Sequence, residues 1–225
     1  MNAAPPRNLA DSELAARITD GATDLALALD AAQVASLVAY LRLIERWNNT
    51  YNLTSIRDPN AIVTHHILDA LAATAALQRR RALEARRRLI DVGSGAGLPG
   101  VVIGIALPET EVVCVDSVGK KAAFITQVAA SLGLRNVEAL HARIERVANG
   151  RFDVVASRAF ASLAGFVAGT RHLLAENGEW MAMKGRRPDD EITALSDAAV
   201  EVEPLEVPDL EADRCIAWIR LRSHK

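Results

Sequence analysis

The chain has 225 residues, half of them hydrophobic, and a formal net charge of −2 at neutral pH. This length is typical of one domain with a sizeable core, and the balanced charge gives no overall attraction to nucleic acid. No apolar run is long enough to cross a bilayer, and the first residues lack the apolar segment of a secretory signal. We therefore expect a cytoplasmic protein without a membrane partner, in which any contact with nucleic acid depends on local basic patches.

The N-terminal third is predicted to be helical after a disordered stretch at residues 1–12. Apolar residues from Val34 to Trp47 recur every three or four positions, which is the spacing of one buried helix face. Asp30 is placed to cap the first turn of that helix. These helices would form an N-terminal extension over residues 13–85. The expected helices lie near residues 13–28, 31–48 and 59–77.

A polar segment from Trp47 to Pro59 separates the second helix from the third, which contains His65, His66 and Asp69. This composition is typical of a helix–turn–helix packed on a main domain. A histidine and an aspartate three positions apart on a helix more often form a structural hydrogen bond than a catalytic dyad.

Residues 79–88, RRRALEARRR, contain six arginines and one glutamate. The run fits a solvated helix end and linker, and it equally fits a phosphate-binding patch beside the active-site domain. It also marks the expected boundary between the helical extension and the rest of the chain.

From residue 86 onward, predicted strands and helices alternate, which indicates an α/β domain over residues 86–225. This alternation predicts a mostly parallel sheet with right-handed crossovers. The expected strands lie near residues 89–92, 112–116, 137–141, 153–157, 179–184, 200–206 and 214–221. The expected helices lie near residues 98–106, 118–132, 143–148, 160–175 and 188–198.

The strongest motif is the segment from Leu89 to Gly100, LIDVGSGAGLPG. An apolar run ends on Asp91, and the glycines that follow allow the backbone to turn sharply and approach a ligand closely. The next helix would direct its free N–H groups and its positive dipole end at that ligand. We interpret the segment as a cofactor loop in an α/β sheet.

Two cofactor classes fit this loop. Gly95, Gly97 and Gly100 have the spacing G-x-G-x-x-G, which is a weak signal for a dinucleotide. The fuller pattern, Asp91 followed by glycines at every second position, resembles the first motif of S-adenosylmethionine methyltransferases. Asp116 ends the second apolar run, where a carboxylate can accept hydrogen bonds from ribose hydroxyls in either case.

Charged residues follow the later strands, at the end of an α/β sheet where ligands bind. Glu145 can accept a hydrogen bond from an adenine amino group, and Arg158 can clamp a carboxylate or an anionic substrate oxygen. Lys184 follows the fifth predicted strand. Each residue could instead be a surface charge, but three such loops on one side of the sheet favour a ligand site.

The residue types that are missing from the sequence narrow the choice of methyl acceptor. A methyl sulfonium is already a strong electrophile, so the enzyme mainly has to align the acceptor atom with it. Methylation of pyrimidine C5 requires a cysteine nucleophile, but Cys114 and Cys215 lie in apolar strands typical of buried, reduced thiols. The segment Ser157–Phe160 stands where many methyltransferases of exocyclic amines have [DN]-P-P-[YFW]. A ring nitrogen with a free lone pair, such as guanine N7, needs no deprotonation, so no general base is expected and the catalytic residues are left unassigned. Phe160 could stack on an extruded base, although such a residue is more often part of the core.

Several segments match one family in order and spacing. They are Trp47-x-x-x-Tyr-Asn-Leu-Thr54 with Arg57, His66-x-Leu-Asp69, DVGSGAGLPG at 91–100, Asp116-Ser-x-Gly-Lys-Lys121-x-x-Phe124, Arg143-x-Glu145, SRAF at 157–160 and Lys184-Gly185. Together they resemble the small-subunit ribosomal RNA guanine-N7 methyltransferases, also known as glucose-inhibited division protein B. The resemblance implies a class I, Rossmann-like fold with a seven-stranded, mostly parallel sheet. It also implies direct transfer of a methyl group from S-adenosyl-L-methionine to N7 of a specific guanine in bacterial 16S rRNA, within the small ribosomal subunit or its assembly intermediate.

The resemblance also implies two sets of site residues. The cofactor contacts carried over by position are Gly93, Leu98, Ile144, Glu145 and Arg158, to which we add Gly95 and Gly97 from the loop pattern and Asp116 from the ribose argument. The expected substrate contacts are Arg57, His66, Lys120 and Lys184. We expect a monomeric enzyme and no bound metal, because no spacing of cysteine and histidine resembles a zinc site.

Two departures from the family pattern concern the substrate side. Ala70 stands where the family often has serine, and the last strand begins with Asp213-Arg-Cys215.

Two other functions stay open. A small-molecule methyltransferase would have the same cofactor site, and it fits the balanced charge but not the arginine-rich segment. A nucleotide-binding oxidoreductase or sensor would hold a pyrophosphate in the glycine loop.

Overall fold

A computed structural model of the chain describes residues 9–56, 58–80, 87–148 and 150–222. The N-terminal part is helical, as predicted. Its elements are α1 (Asp11–Asp24), α2 (Ala31–Tyr51), α3 (Pro59–Ile62), a π-helix (Val63–Leu68) and α4 (Asp69–Arg79). Residues 11 and 12 are helical, so the expected disorder over residues 1–12 is wrong at those two positions. The expected boundary at 85/86 adjoins residues outside the described part.

Helix α2 begins where the sequence indicated. The Asp30 side chain accepts a hydrogen bond from the Gln33 backbone N–H at 2.8 Å, and the Gln33 side chain accepts one from the Asp30 N–H at 2.8 Å. This reciprocal pair satisfies two N–H groups at the start of the helix. The Gln33 amide also donates to the carbonyls of Ile105 and Ala106 at the end of a later helix. The start of α2 is thereby attached to the α/β domain.

Among the described residues, the α/β part contains four α-helices and seven strands, and two one-turn 3₁₀ segments are counted separately. The strands are β1 (Arg88–Val92), β2 (Glu111–Asp116), β3 (Val137–His141), β4 (Phe152–Ser157), β5 (Leu174–Lys184), β6 (Ala198–Pro204) and β7 (Cys215–Leu221). The helices are α5 (Gly100–Ala106), α6 (Gly119–Leu132), α7 (Leu163–Thr170) and α8 (Asp189–Thr193), with 3₁₀ turns at Ile144–Arg146 and Arg171–Leu173.

Helix α4 of the N-terminal part packs beside α5.

Three expected helices are shorter in the structure. The segment expected as a helix at 160–175 is helical only from Leu163, because the Ser162 side chain accepts a hydrogen bond from the Gly165 N–H and caps the helix there. Strand β5 begins at Leu174, inside the predicted helix. The expected helix at 143–148 is a single 3₁₀ turn, and the one at 188–198 ends at Thr193.

The sheet has the strand order β3-β2-β1-β4-β5-β7-β6. Strands β1 to β5 pair in parallel, and β7 runs antiparallel to both β5 and β6. The predicted class I, mostly parallel seven-stranded sheet is therefore confirmed. The strand order reverses between β1 and β4, and the carboxyl ends of strands at such a switch point are where open α/β sheets bind ligands.

The N-terminal helices and the sheet share one hydrophobic core. Leu37 and Tyr40 of α2, Leu71 of α4 and Trp218 of β7 belong to the same buried cluster. A second cluster on the opposite face contains Phe166 and Trp180 among its members. The helical extension is thus a layer of the fold that covers one face of the sheet. Within the described ranges, no helix has the length and apolar character needed to cross a membrane.

Candidate functional site

The glycine loop between β1 and α5 is fixed at both ends by carboxylates. Asp91 at the end of β1 is fully buried, and one of its oxygens accepts a hydrogen bond from the Gly100 N–H at 3.0 Å. Asp116 at the end of β2 accepts one from the Gly95 N–H at 3.0 Å. The two acidic residues singled out in the sequence therefore hold the backbone of the loop.

A tyrosine from the helical layer supports the loop from behind. The Tyr40 hydroxyl donates a hydrogen bond to the Ala96 carbonyl at 2.5 Å. Burial raises the pKa of Tyr40 well above its ordinary value, so the hydroxyl keeps its proton and remains a donor. The position of the loop consequently depends on α2 as well as on the sheet.

The glycines of the loop have different roles. Gly93, Gly95 and Gly97 all have positive φ angles, of 70°, 62° and 90°. A Cβ atom on Gly97 would lie 2.5 Å from a Val101 methyl carbon, whereas one on Gly95 would meet no protein atom within 4 Å. Gly97 is therefore required for packing, and Gly95 faces open space. Gly97 lines none of the three cavities described next.

The first cavity, of about 280 Å³, adjoins the loop at the carboxyl ends of β1 and β2. One oxygen of Asp116 bonds to the Gly95 N–H and the other accepts a hydrogen bond from the Val118 N–H at 2.9 Å. Each carboxylate oxygen has a further lone pair that a ribose hydroxyl could use. The predicted cofactor residues that line this cavity are Gly93, Asp116, Ile144 and Glu145, and Phe160 lines it as well.

These residues fit the nucleoside part of S-adenosylmethionine. The Glu145 carboxylate is exposed and has no hydrogen-bond partner among the described residues, so it is free to accept from an adenine amino group. Ile144 and Phe160 provide apolar walls, and Phe160 also packs on Phe166 with ring centroids 4.9 Å apart. The chemistry of the lining thus matches a nucleoside with hydroxyls on one side and an amino group on the other.

A second cavity, of about 330 Å³, lies on the other side of the loop. Gly93 and Ala159 line both cavities, so the two cavities adjoin each other. Apart from Gly97, this second cavity brings the remaining predicted cofactor residues together with the first of the substrate residues. They are Gly95, Leu98, Arg158 and His66, with Thr54 beside them.

His66 reaches the cleft because its segment is a π-helix. A π-helix has wider turns than an α-helix, so residues three positions apart no longer share one face. The His66 ring bonds to the Thr54 hydroxyl at 2.9 Å, and Asp69 bonds elsewhere. The expected structural pair between His66 and Asp69 is therefore wrong.

The environment of His66 keeps the ring neutral. Burial lowers its pKa to about 4, since desolvation penalises the charged imidazolium. Its Nδ1 atom is buried and has no hydrogen-bond partner. The neutral ring therefore lines the cleft without adding charge to it.

The third cavity, also about 330 Å³, continues past His66 and Arg158. Asp69 is buried at its base, with Arg158 Nη1 2.9 Å from one carboxylate oxygen and Arg214 Nε 3.0 Å from the other. Lys184 also lines this cavity and pairs with Glu191 at 2.9 Å. Three basic side chains from separate strands thus converge beyond the cofactor loop.

The other predicted substrate residues lie differently. Arg57 lies outside the described residues. Lys120, at the start of α6, lines none of the three cavities, and its ammonium group lies 5.4 Å from the centre of the half-exposed Tyr51 ring. Both cysteines are buried thiols, as predicted.

The sequence did not predict two side chains of this region, Arg214 and Glu191. Arg214 was noticed only as part of a departure in the last strand, and Glu191 was not noticed. Arg214 is 145 residues away from Asp69 in sequence, so no local pattern connects them. The available signal was an arginine at the start of the last predicted strand.

The first prediction concerns the buried carboxyl of Asp91. Burial raises its pKa to about 7, whereas in the unfolded chain it ionises near its ordinary value of about 4. The contribution of the protonated carboxyl to the free energy of unfolding is therefore fully present below about pH 4, and it is lost as the pH rises from about 4 to about 7. Asp91→Asn removes this loss, so its free energy of unfolding relative to wild type should increase over that range, by up to about 1.4 kcal/mol per pH unit.

Urea unfolding of both proteins at pH 5, 6, 7 and 8 measures this difference. His66 titrates in the same range with the opposite sign, but it is present in both proteins and cancels. A difference that is constant with pH would show that Asp91 ionises normally in the folded protein.

The second prediction uses two matched glycines. Gly95 and Gly133 have nearly the same φ angle, 62° and 66°, and a Cβ atom on either would meet nothing within 4 Å. Alanine at either position should therefore cost a similar amount of stability, about 1 kcal/mol, because the left-handed conformation disfavours a Cβ atom. Only Gly95→Ala should weaken the binding of S-adenosylhomocysteine, by about tenfold or more, because only its methyl group would enter the cleft.

Isothermal titration calorimetry with S-adenosylhomocysteine, together with thermal melting of both variants, separates the two effects. Equal loss of affinity in Gly95→Ala and Gly133→Ala would show that backbone strain alone is responsible. Unchanged affinity in Gly95→Ala would place the cofactor elsewhere.

Known proteins similar to this chain agree with the geometry of the cleft. The ribosomal RNA small subunit methyltransferase G of Acidovorax ebreus (strain TPSY) is 51% identical over 221 residues, which cover 94% of this chain and 97% of that protein. The protein of the same name from Paracidovorax citrulli (strain AAC00-1) is 51% identical over 226 residues, covering 95% and 93%. A crystal structure of a ribosomal protein L11 methylase from Lactobacillus delbrueckii subsp. bulgaricus shares the fold, with a TM-score of 0.55 at 15% identity, over 69% of this chain and 79% of that one.

The family described as "GidB: rRNA small subunit methyltransferase G" matches residues 33–216, a range that includes most of the helical layer and nearly the whole sheet. The resemblance derived from the sequence motifs is thereby confirmed, and so is S-adenosyl-L-methionine as the cofactor. The oxidoreductase alternative is set aside. Because the family model matches most of its length and its relatives are about 51% identical to it, the chain belongs to the GidB family of S-adenosylmethionine-dependent rRNA small subunit methyltransferases.

Proposed function

We propose that this enzyme methylates N7 of a specific guanine in bacterial 16S rRNA, acting as a cytoplasmic monomer without a bound metal. The names of its relatives support an rRNA substrate from the small subunit. The choice of N7 rests on the chemistry of the cleft. S-adenosylmethionine, when bound, supplies an electrophilic methyl group, and the protein's own residues orient the acceptor.

One observation favours an acceptor that has no proton to lose. Among the described residues, Asp69 is the only carboxylate that lines the second or third cavity, and both its oxygens accept hydrogen bonds from arginines. The neighbouring His66 is a weak base, since burial lowers its pKa to about 4. Neither group is suited to remove a proton near neutral pH. A guanine N7 lone pair can attack directly, so the cleft needs only to position the base and exclude water.

The basic side chains beyond His66 suit a nucleotide. Arg158 and Arg214 keep N–H groups free after bonding to Asp69, and guanidinium groups match phosphate and guanine oxygens in geometry. A neutral His66 and the adjacent Thr54 hydroxyl offer hydrogen bonds to a base that has been turned out of its helix. We infer that the third cavity receives the target nucleotide and the first cavity receives the nucleoside of the cofactor.

The proposed roles follow this division of the cleft. The cofactor contacts would be Gly93, Gly95, Gly97, Leu98, Asp116, Ile144, Glu145 and Arg158, with Gly97 acting through the shape of the loop. The substrate contacts would be Arg57, His66, Lys120 and Lys184, joined by Arg214. Residues 86–225 would form the methyltransferase domain, and the extension at 13–85 would supply part of the acceptor wall.

The proposed activity is tested by transfer of a labelled methyl group to small ribosomal subunits from cells that lack this enzyme. We expect label in 16S rRNA at a single guanine, which cleavage chemistry specific for N7-methylguanosine would locate. Subunits from cells that contain the enzyme are the control and should accept little label. The proposal fails if naked rRNA, assembly intermediates and mature subunits all remain unlabelled, or if the label lies on an amino group.

The salt dependence of substrate binding separates this proposal from the small-molecule alternative. Contacts with RNA phosphates weaken steeply as salt is raised. A small neutral acceptor would bind with little dependence on salt.

A further prediction concerns Asp69 as a positioning residue. Asp69→Asn keeps the shape and one acceptor oxygen but removes the charge that holds Arg158 and Arg214 together. We expect kcat/KM for the RNA substrate to fall by at least about tenfold, since charged hydrogen bonds contribute roughly 1.5–3 kcal/mol each.

Asp209→Asn is the matched control, because that carboxylate pairs with Arg17 at 2.8 Å but is 59% exposed. Exposed pairs contribute little, so this variant should retain wild-type kinetics. Equal effects of the two substitutions on kcat/KM would remove Asp69 from the acceptor site. Adding an S-adenosylhomocysteine affinity measurement shows whether Arg158 acts on the cofactor as well.

A further inference from the structure

A second basic surface lies at the opposite end of the sheet from the cleft. A groove of about 600 Å³ is lined by Arg87, Arg151, Arg171 and Arg220, which we name the arginine groove. It lies where β4 and β5 begin, whereas the cofactor cleft lies where β1, β2 and β4 end. Strand β4 runs the six residues from Phe152 to Ser157, so about 17 Å separates the two sites at roughly 3.3 Å per residue.

The four arginines come from four separate parts of the chain. Arg87 precedes β1, Arg151 precedes β4, Arg171 follows α7 and Arg220 lies near the end of β7. The described lining of the groove contains a single acidic side chain, Glu176. Because the whole chain has a net charge of −2, this concentration of positive charge is a local feature.

The interaction partners of these arginines leave most of the positive charge of the groove unneutralised. Arg171 faces Asp197 at 3.4 Å in an exposed pair, which contributes little. Arg151 donates to the neutral carbonyl of Leu174 at 3.2 Å. The Arg87 backbone carbonyl accepts a hydrogen bond from the Glu111 N–H, but the Arg87 side chain makes no hydrogen bond or ion pair with the described residues. Two of the four guanidinium groups therefore have no carboxylate partner in the part of the chain that the structure describes.

Arg220 differs from the other three. It donates to Glu179 at 3.1 Å, and Glu179 is buried and also accepts from Arg80. Two arginines on one carboxylate leave an excess of positive charge on that side of the groove, although Arg80 also reaches Glu201. Arg220 has a structural function as well, and it is unsuitable for a test by substitution.

In the arginine-rich segment at 79–88, some arginines pair within the fold and one lines the groove. Arg79 pairs with Glu203 at 2.9 Å, and Arg80 pairs with Glu179 and Glu201 and lies over the Trp218 ring. Arg88 lies over the Phe152 ring and 3.5 Å from Glu111. These three stabilise the fold. Arg87 lines the groove, and residues 81–86 lie outside the described part.

We propose that the arginine groove binds the phosphate backbone of the rRNA substrate, as a second contact remote from the site of methyl transfer. Guanidinium groups bind phosphate oxygens in a fork geometry, and a groove lined by four of them suits a chain of phosphates. The proposal rests on the proposed function, because only a polymeric acceptor is long enough to reach both ends of the sheet. A small-molecule acceptor in the cleft would leave the groove unused.

The test substitutes Arg87 and Arg171, two of the three groove arginines that hold no buried carboxylate. Arg87→Gln with Arg171→Gln should weaken the binding of naked 16S rRNA by about tenfold at 0.1 M salt. The slope of log affinity against log salt should fall by about 0.7–0.9 for each phosphate contact removed. The affinity for S-adenosylhomocysteine and the melting temperature should match wild type, because both residues lie far from the cleft and outside the core.

Two controls make the result specific. Arg87→Lys with Arg171→Lys keeps the charge and should retain most of the salt slope. Arg135→Gln removes an exposed charge in the turn before β3, outside the groove, and should leave RNA binding unchanged.

Two outcomes would contradict the proposal that the groove binds rRNA phosphates. An unchanged affinity and slope in the Gln double variant would overturn the proposal, even if the wild-type enzyme methylates 16S rRNA normally. Weaker binding of assembled subunits with unchanged binding of naked rRNA would assign the groove to a protein partner and would also overturn it. Failure of the proposed function would appear separately, as absence of methyl transfer by the wild-type enzyme.

Discussion

The buried carboxylate of Asp69 is the interaction on which the geometry of the third cavity depends. It lies at the start of α4 and holds Arg158 at the end of β4 and Arg214 before β7, which are 89 and 145 residues away in sequence. Two guanidinium groups this close would repel each other if no anion lay between them. The carboxylate therefore permits two arginines to face one cavity, and it attaches the helical layer to two strands at the same point.

The helical layer also determines the geometry of the cofactor side. Gln33 bonds to the last carbonyls of α5, and Tyr40 bonds to the Ala96 carbonyl within the glycine loop. The π-helix then turns His66 towards Thr54 and the cleft. An extension that the sequence suggested as an appendage thus provides contacts on both halves of the cleft, because it shares one hydrophobic core with the sheet.

The sequence predicted those features that arise from neighbouring residues. The glycine loop, the acid at the end of β2 and the alternation of strands and helices are local patterns, and each appears where expected. The π-helix was not predictable, because a hydrophobic pattern written for 3.6 residues per turn gives no sign of one widened turn. The pairing of Asp69 with Arg158 and Arg214 depends on strand order, which places β4 and β7 on either side of β5. That order is a property of the folded sheet and is absent from any short segment.

The arginines show why a count of basic residues is a poor guide to nucleic-acid binding. Arg79, Arg80 and Arg88 belong to the most basic segment of the chain, yet each is occupied by a carboxylate or an aromatic ring of the fold. Arg158 and Arg214 are isolated in sequence and converge in space. What distinguishes a candidate binding surface is therefore the convergence of basic side chains on one cavity after folding. By that criterion the third cavity and the arginine groove stand out at opposite ends of the sheet, in a chain whose overall charge is slightly negative.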